Sequence, residues 1–87
     1  SRILVLLELD NAESIMSKLL NSEWIGFLRK QENNHFTFQM DKKQIPAFAH
    51  DLVQMGAGII NLQPKHSLED FFFSLTTANQ HVDAFTN

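Results

Sequence analysis

An α+β domain with the element order βαββαβ is the fold this sequence predicts, and three patterns carry the expectation. Residues 3–9 are apolar at nearly every position, as in a strand buried on both faces. Residues 35–40 alternate strictly between polar and apolar after a pair of asparagines, as in the second strand of a hairpin. Two helix-period apolar stripes stand between strand patterns, one in each half of the chain. With right-handed crossovers, that order closes into a four-stranded antiparallel sheet with both helices on one face. This is the ferredoxin-like plan, with the first and third strands central, and here it is followed by an extra C-terminal helix.

Each element has its own local reason. Ile3, Leu4, Val5, Leu6, Leu7 and Leu9 make the first strand. Asp10 or Asn11 can cap the helix that follows, and Glu13 in its first turn complements the helix dipole. Ile15, Met16, Leu19 and Leu20 form the expected buried stripe, and Asn21-Ser22 or the residues just after end it. Residues 24–31 read as a second strand with Gly26 as a bulge. Glu32-Asn33-Asn34 is a turn, because asparagine tolerates the positive φ that tight hairpins require. In the third strand Phe36, Phe38 and Met40 share one face. A second helix follows Asp41, with Ile45, Phe48, Ala49, Leu52 and Val53 on its stripe. Pro46 confines the helix start to residues 42–44, since proline is accepted only in a first turn. Gly56 suits the position just past the helix end. Residues 59–63 form the fourth strand, which Pro64 is expected to stop.

The C-terminal helix is the most densely signalled element. Ser67 can cap it, and Asp70 three residues on can complete a capping box. Leu68, Phe71, Phe72 and Leu75 then fall at i, i+3, i+4 and i+7. Phe73 lies off that stripe, so the helix carries apolar side chains on more than one face. The helix is expected over 68–77, which makes 1–77 a single domain and 78–87 a flexible tail.

If Ile3, Val5, Leu7 and Leu9 point to the helices, then Leu4, Leu6 and Glu8 point away, with His35, Thr37 and Gln39 beside them. Ile59, Asn61 and Gln63 are placed on the same face of the fourth strand. Leu4, Leu6 and Ile59 would make an apolar patch that the terminal helix or a partner must cover.

Composition narrows the function. With 44% hydrophobic and 20% charged residues, the 87-residue chain can order one core. Its net charge is −3 and its cations are scattered, with Arg29-Lys30 and Lys42-Lys43 the only adjacent pairs. A phosphate-tracking surface needs a basic patch, so nucleic-acid binding is disfavoured. The RNA-recognition motif would also need Phe36 and Phe38 turned outward, at the expense of the core. Cysteine is absent, which removes thiolate chemistry and fits a reducing compartment. No apolar run approaches the ~20 residues that span a bilayer, so no direct membrane insertion is expected.

Catalytic patterns are weak. His35, His50, His66 and His81 fall in no metal-ligand spacing. His66, Ser67 and Asp70 are too close in sequence for a nucleophilic triad, and Ser67 already serves as a cap. Residues 55–58 contain G-x-G but follow a helix instead of opening one, so they read as a helix end. No P-loop pattern is present. Catalytic, cofactor-binding and metal-binding residues are therefore not expected in this chain. An ACT-like domain that senses a small molecule at its first strand-to-helix turn is the alternative, with Asp10 in that turn but without the usual Pro-Gly.

From Leu52 to Thr76 the chain reads L-x-x-x-G-x-G-I-I-x-L-x-P-x-x-S-L-E-D-x-F-x-x-L-T. This resembles the accessory C-terminal domain of ABC transporter ATP-binding subunits, especially those of bacterial ABC-2 type exporters. The motif is carried by Pro64, Ser67, Leu68, Glu69, Asp70, Phe72, Leu75 and Thr76, while Phe71 and Phe73 stand where smaller aliphatic residues are usual. The resemblance implies a non-catalytic accessory or regulatory domain that works by docking or dimerisation. It also implies that the ATPase parts, with their ATP and Mg, lie upstream on a longer protein. The implied partners are its own nucleotide-binding domain and a second ATPase subunit, with the membrane permease reached indirectly and a homodimer as a further form. The implied location is cytoplasmic, peripheral at the inner face of the plasma membrane. Leu4, Leu6 and Phe73 are the candidate contact residues.

Overall fold

The computed structural model describes residues 2–65 of the chain. Strand β1 (Arg2–Leu9) leads to helix α1 (Ala12–Leu20), then to a 3-10 turn at Glu23–Phe27 and strand β2 (Leu28–Glu32). Strand β3 (His35–Asp41) is followed by a short 3-10 turn at Lys42–Gln44, helix α2 (Ile45–Gln54) and strand β4 (Ile59–Lys65). The strands form one antiparallel sheet in the order β2-β3-β1-β4. The α+β architecture with a four-stranded antiparallel sheet and two helices is thus the expected one, and β1 and β3 occupy its centre.

The core follows from strand alternation. Ile3, Val5, Leu7 and Leu9 of β1 and Phe36, Phe38 and Met40 of β3 pack with Ile15 and Leu19 of α1 and Phe48 and Leu52 of α2. Val5 lies opposite Phe38, and Leu7 opposite Phe36. Phe48 sets its ring 4.7 Å from that of Phe38 and 5.1 Å from that of Trp24, both tilted. Tilted contacts at these distances let positive ring edges meet negative faces. Phe36 and Phe38 are therefore core residues, and base stacking on them is excluded.

Helix boundaries follow their sequence signals. Asp41 Oδ1 accepts from the Lys43 N–H at 2.9 Å, and Gln44 Oε1 accepts from the Asp41 N–H at 3.0 Å. This capping box starts a 3-10 turn, so the α-helix proper begins at Ile45 with Pro46 in its first turn. At the other end Gly56 takes φ +88°. Its N–H bonds to Val53 O at 2.9 Å, and the Ala57 N–H bonds to Leu52 O at 3.0 Å, a Schellman closure.

Several expectations need correction. Residues 24–27 are a 3-10 turn and not strand, so Gly26 is no bulge. Ser22 Oγ caps this turn by accepting from the Trp24 N–H at 3.2 Å, and Trp24 turns into the core. The strand irregularity falls instead between Leu28 and Lys30. Pro64 does not stop β4, which continues to Lys65. It pairs with Val5 on an edge strand, where a missing N–H can face outward without breaking the ladder. Ile59 faces the core, because a bulge between Glu8 and Leu9 puts Leu9 opposite Ile59 and Glu8 opposite Asn61. Ile60 is skipped by the ladder and is 57% exposed. Leu20 and Val53 sit on the solvent side of their helices, outside the buried stripes. The terminal helix expected at 68–77 and the tail at 78–87 lie outside the described residues.

Candidate functional site: the outer sheet face and the loop corner

Strand alternation puts Leu4, Leu6 and Glu8 on the face opposite the helices. Across the ladder they meet Gln39, Thr37 and His35 on one side, and Lys65, Gln63 and Asn61 on the other. A row of aliphatic side chains thus runs between two polar rows. Leu6 is half-buried, and Leu4 is only 5% exposed although it stands outside the helix-side core. The expected patch of Leu4, Leu6 and Ile59 is therefore reduced to Leu6, beside a Leu4 already covered.

The face has a polar end. Glu8 Oε1 and His35 Nε2 are 3.6 Å apart, on adjacent strands directly opposite each other. They rim a depression of about 190 Å³ that also takes in Leu6, Thr37 and Asn61. A second depression of about 390 Å³ lies between the start of α1 and the hairpin, lined by Ala12, Glu13, Met16, Gln31, Asn33 and Asn34. Among the described residues no three His, Asp or Glu side chains converge as a metal site. No helix among them is long and apolar enough to cross a membrane.

A second constellation joins the β1–α1 turn to the α2–β4 loop. Asn11 does not cap α1 with its side chain. Its Nδ2 donates to Gly56 O at 2.8 Å, and its Oδ1 accepts from the Gly58 N–H at 2.8 Å. The Asp10 N–H donates to Gly58 O, also at 2.8 Å. A Cβ on Gly58 would collide with the Asp10 carboxylate, so glycine is required there for close approach. Sequence reading offered Asp10 or Asn11 as the cap and took Gly58 as part of a helix end and turn. The pairing spans 47 residues, and neither residue's local sequence carries a signal for it.

Of the motif residues, Pro64 lies in β4. Ser67, Leu68, Glu69, Asp70, Phe72, Leu75 and Thr76 lie outside the described residues, as does the candidate contact residue Phe73. Leu4 and Leu6 are brought to one face and lie two residues apart. No protein-family model, curated protein or solved structure matches the chain.

Proposed function

We propose that this chain is a non-catalytic accessory domain of an ABC exporter's ATP-binding subunit, acting by contact with its own nucleotide-binding domain and a second ATPase subunit. On this reading the domain is cytoplasmic and reaches the inner face of the plasma membrane only through the transporter. ATP and Mg are handled by the upstream part of the protein. The observation that carries the proposal is the motif from Pro64 to Thr76. The fold is compatible with it in one respect: Pro64, the first residue of the motif, lies on edge strand β4, which pairs with β1 and its aliphatic row.

The ACT-like alternative has less support. Ligand capture at the β1–α1 turn would call on polar groups there, yet both ends of the Asn11 amide are bonded to the α2–β4 loop. Gly58 lies close beneath the Asp10 carboxylate. A ligand would first have to open that corner.

The direct test is the reading frame upstream of Ser1. A Walker B segment and switch histidine that end some tens of residues before Ser1 are expected. An upstream frame without ATPase motifs contradicts the proposal.

A further inference from the structure

One carboxylate on the outer sheet face has no permanent counter-charge. Glu8 keeps 35% of its side chain exposed, and its one ion-pair partner among the described residues is His35, at 3.6 Å. An imidazole is a cation only when it carries its second proton, whereas lysine and arginine stay charged near neutrality. Beyond that pair the ladder places Glu32 opposite His35 and Lys30 opposite Thr37. Those two charges offset each other, which leaves Glu8 to set the sign of the site.

The polar groups beside Glu8 are acceptors without a task. Asn61 lies opposite it on β4, and Thr37 stands two residues from His35 on the same face of β3. Neither side chain is engaged in a hydrogen bond among the described residues. Half-buried Leu6 adds an apolar wall. The depression that these residues line measures about 190 Å³. At ~30 Å³ for each water-sized group it holds about six, the bulk of one side-chain head with its stem. Pockets that retain a free small molecule run to ~300 Å³ or more and enclose most of its surface. A shallow depression of this size suits a group delivered on a larger surface.

We propose that this depression receives the guanidinium of an arginine side chain presented by a partner protein, with Glu8 as its counter-ion. A planar fork of five N–H donors reaches the Glu8 carboxylate and the Asn61 Oδ1 together, which a compact ammonium does less well. The aliphatic stem of the arginine lies along Leu6, and the His35 ring offers a face on which the guanidinium stacks. The inference rests on the reading of this domain as a contact module and names the chemistry of its partner. It holds whether or not that partner is a transporter subunit, so it and the upstream reading frame can fail separately.

NMR titration of the full, isotope-labelled chain with N-butylguanidinium tests it. Saturable shifts confined to the surroundings of Glu8, His35, Thr37 and Asn61 are expected, with the millimolar dissociation constant that suits one exposed ion pair. Glu8→Gln keeps the shape and removes the charge, and it should raise that constant at least about five-fold. Asn61→Ala should raise it at least about two-fold. Butylammonium should bind at least about three-fold more weakly than butylguanidinium. A short capped peptide with one arginine should displace butylguanidinium from the same residues. Shifts that never saturate overturn the proposal, as does equal binding of the ammonium. So does an affinity unchanged in Glu8→Gln or, should that variant lose its folded spectrum, in Asn61→Ala. Binding of butylguanidinium without binding of the peptide overturns it too, and assigns the depression to a small molecule.

Discussion

At the scale of single residues, two contacts set specific demands. Trp24 buries its indole against Phe48 and Phe27, and its Nε1–H donates to Asp51 Oδ2 at 2.8 Å. Asp51→Ala leaves a buried donor unpaired and should cost ~1–3 kcal/mol. Urea unfolding followed by the fluorescence of this sole tryptophan measures it, and Asp51→Asn, which keeps an acceptor, should recover most of the loss. Gly58 is constrained through its neighbour instead. Gly58→Ala drives a methyl group into the Asp10 carboxylate and should cost ~1–3 kcal/mol. In an Asp10→Ala background the cost should shrink by at least ~0.5 kcal/mol, the mark of two residues in direct contact. Strict additivity in the cycle would mean that the carboxylate moves away freely.

At the scale of elements, the start of α2 should respond to acid. The Asp41 carboxyl is held below its ordinary value of 3.8, chiefly by the hydrogen bond it accepts from the Lys43 backbone. A lowered folded-state pKa gives stability that is present above the unfolded value and lost as pH falls through the folded one. Asp41→Ala should therefore lower Tm at neutral pH, and its difference from the parent should close below pH 3.8. A gap that persists unchanged to pH 2 would remove the cap's electrostatic basis.

Elements of this kind were also where the sequence was most readable. The capping residues around Asp41, the Pro46 position, the positive φ at Gly56 and the alternation of Phe36, Phe38 and Met40 are local signals, and the structure uses each of them. Misreadings arose where a distant partner decides. Residues 24–27 look strand-like until Ser22 caps a turn that delivers Trp24 to α2. Pro64 looks like a stop until β4 is seen to lie on an edge. The bulge opposite Glu8 and Leu9 turns Ile59 inward, and nothing in the fourth strand's own residues announces it. The Asn11–Gly58 bond is likewise a property of the folded corner, closing two loops that are far apart in the chain.

At the scale of the whole molecule, one sheet face is filled by two helices and the other carries a narrow aliphatic row between polar ones. The described residues have no cluster suited to metal chemistry, and the Glu8–His35 pair lines only a shallow depression. The proposed role is contact with partner subunits, for which Phe73, outside the described residues, is a candidate residue. Analytical ultracentrifugation of the ATP-binding subunit proposed to carry this chain, with ATP present, tests that proposal most directly by comparing the parent with Phe73→Ser. Loss of an aromatic anchor is worth ~2 kcal/mol or more, so the dimer dissociation constant should rise at least about ten-fold while Tm holds. An unchanged dissociation constant, or a Tm that collapses because Phe73 is core, would contradict the account.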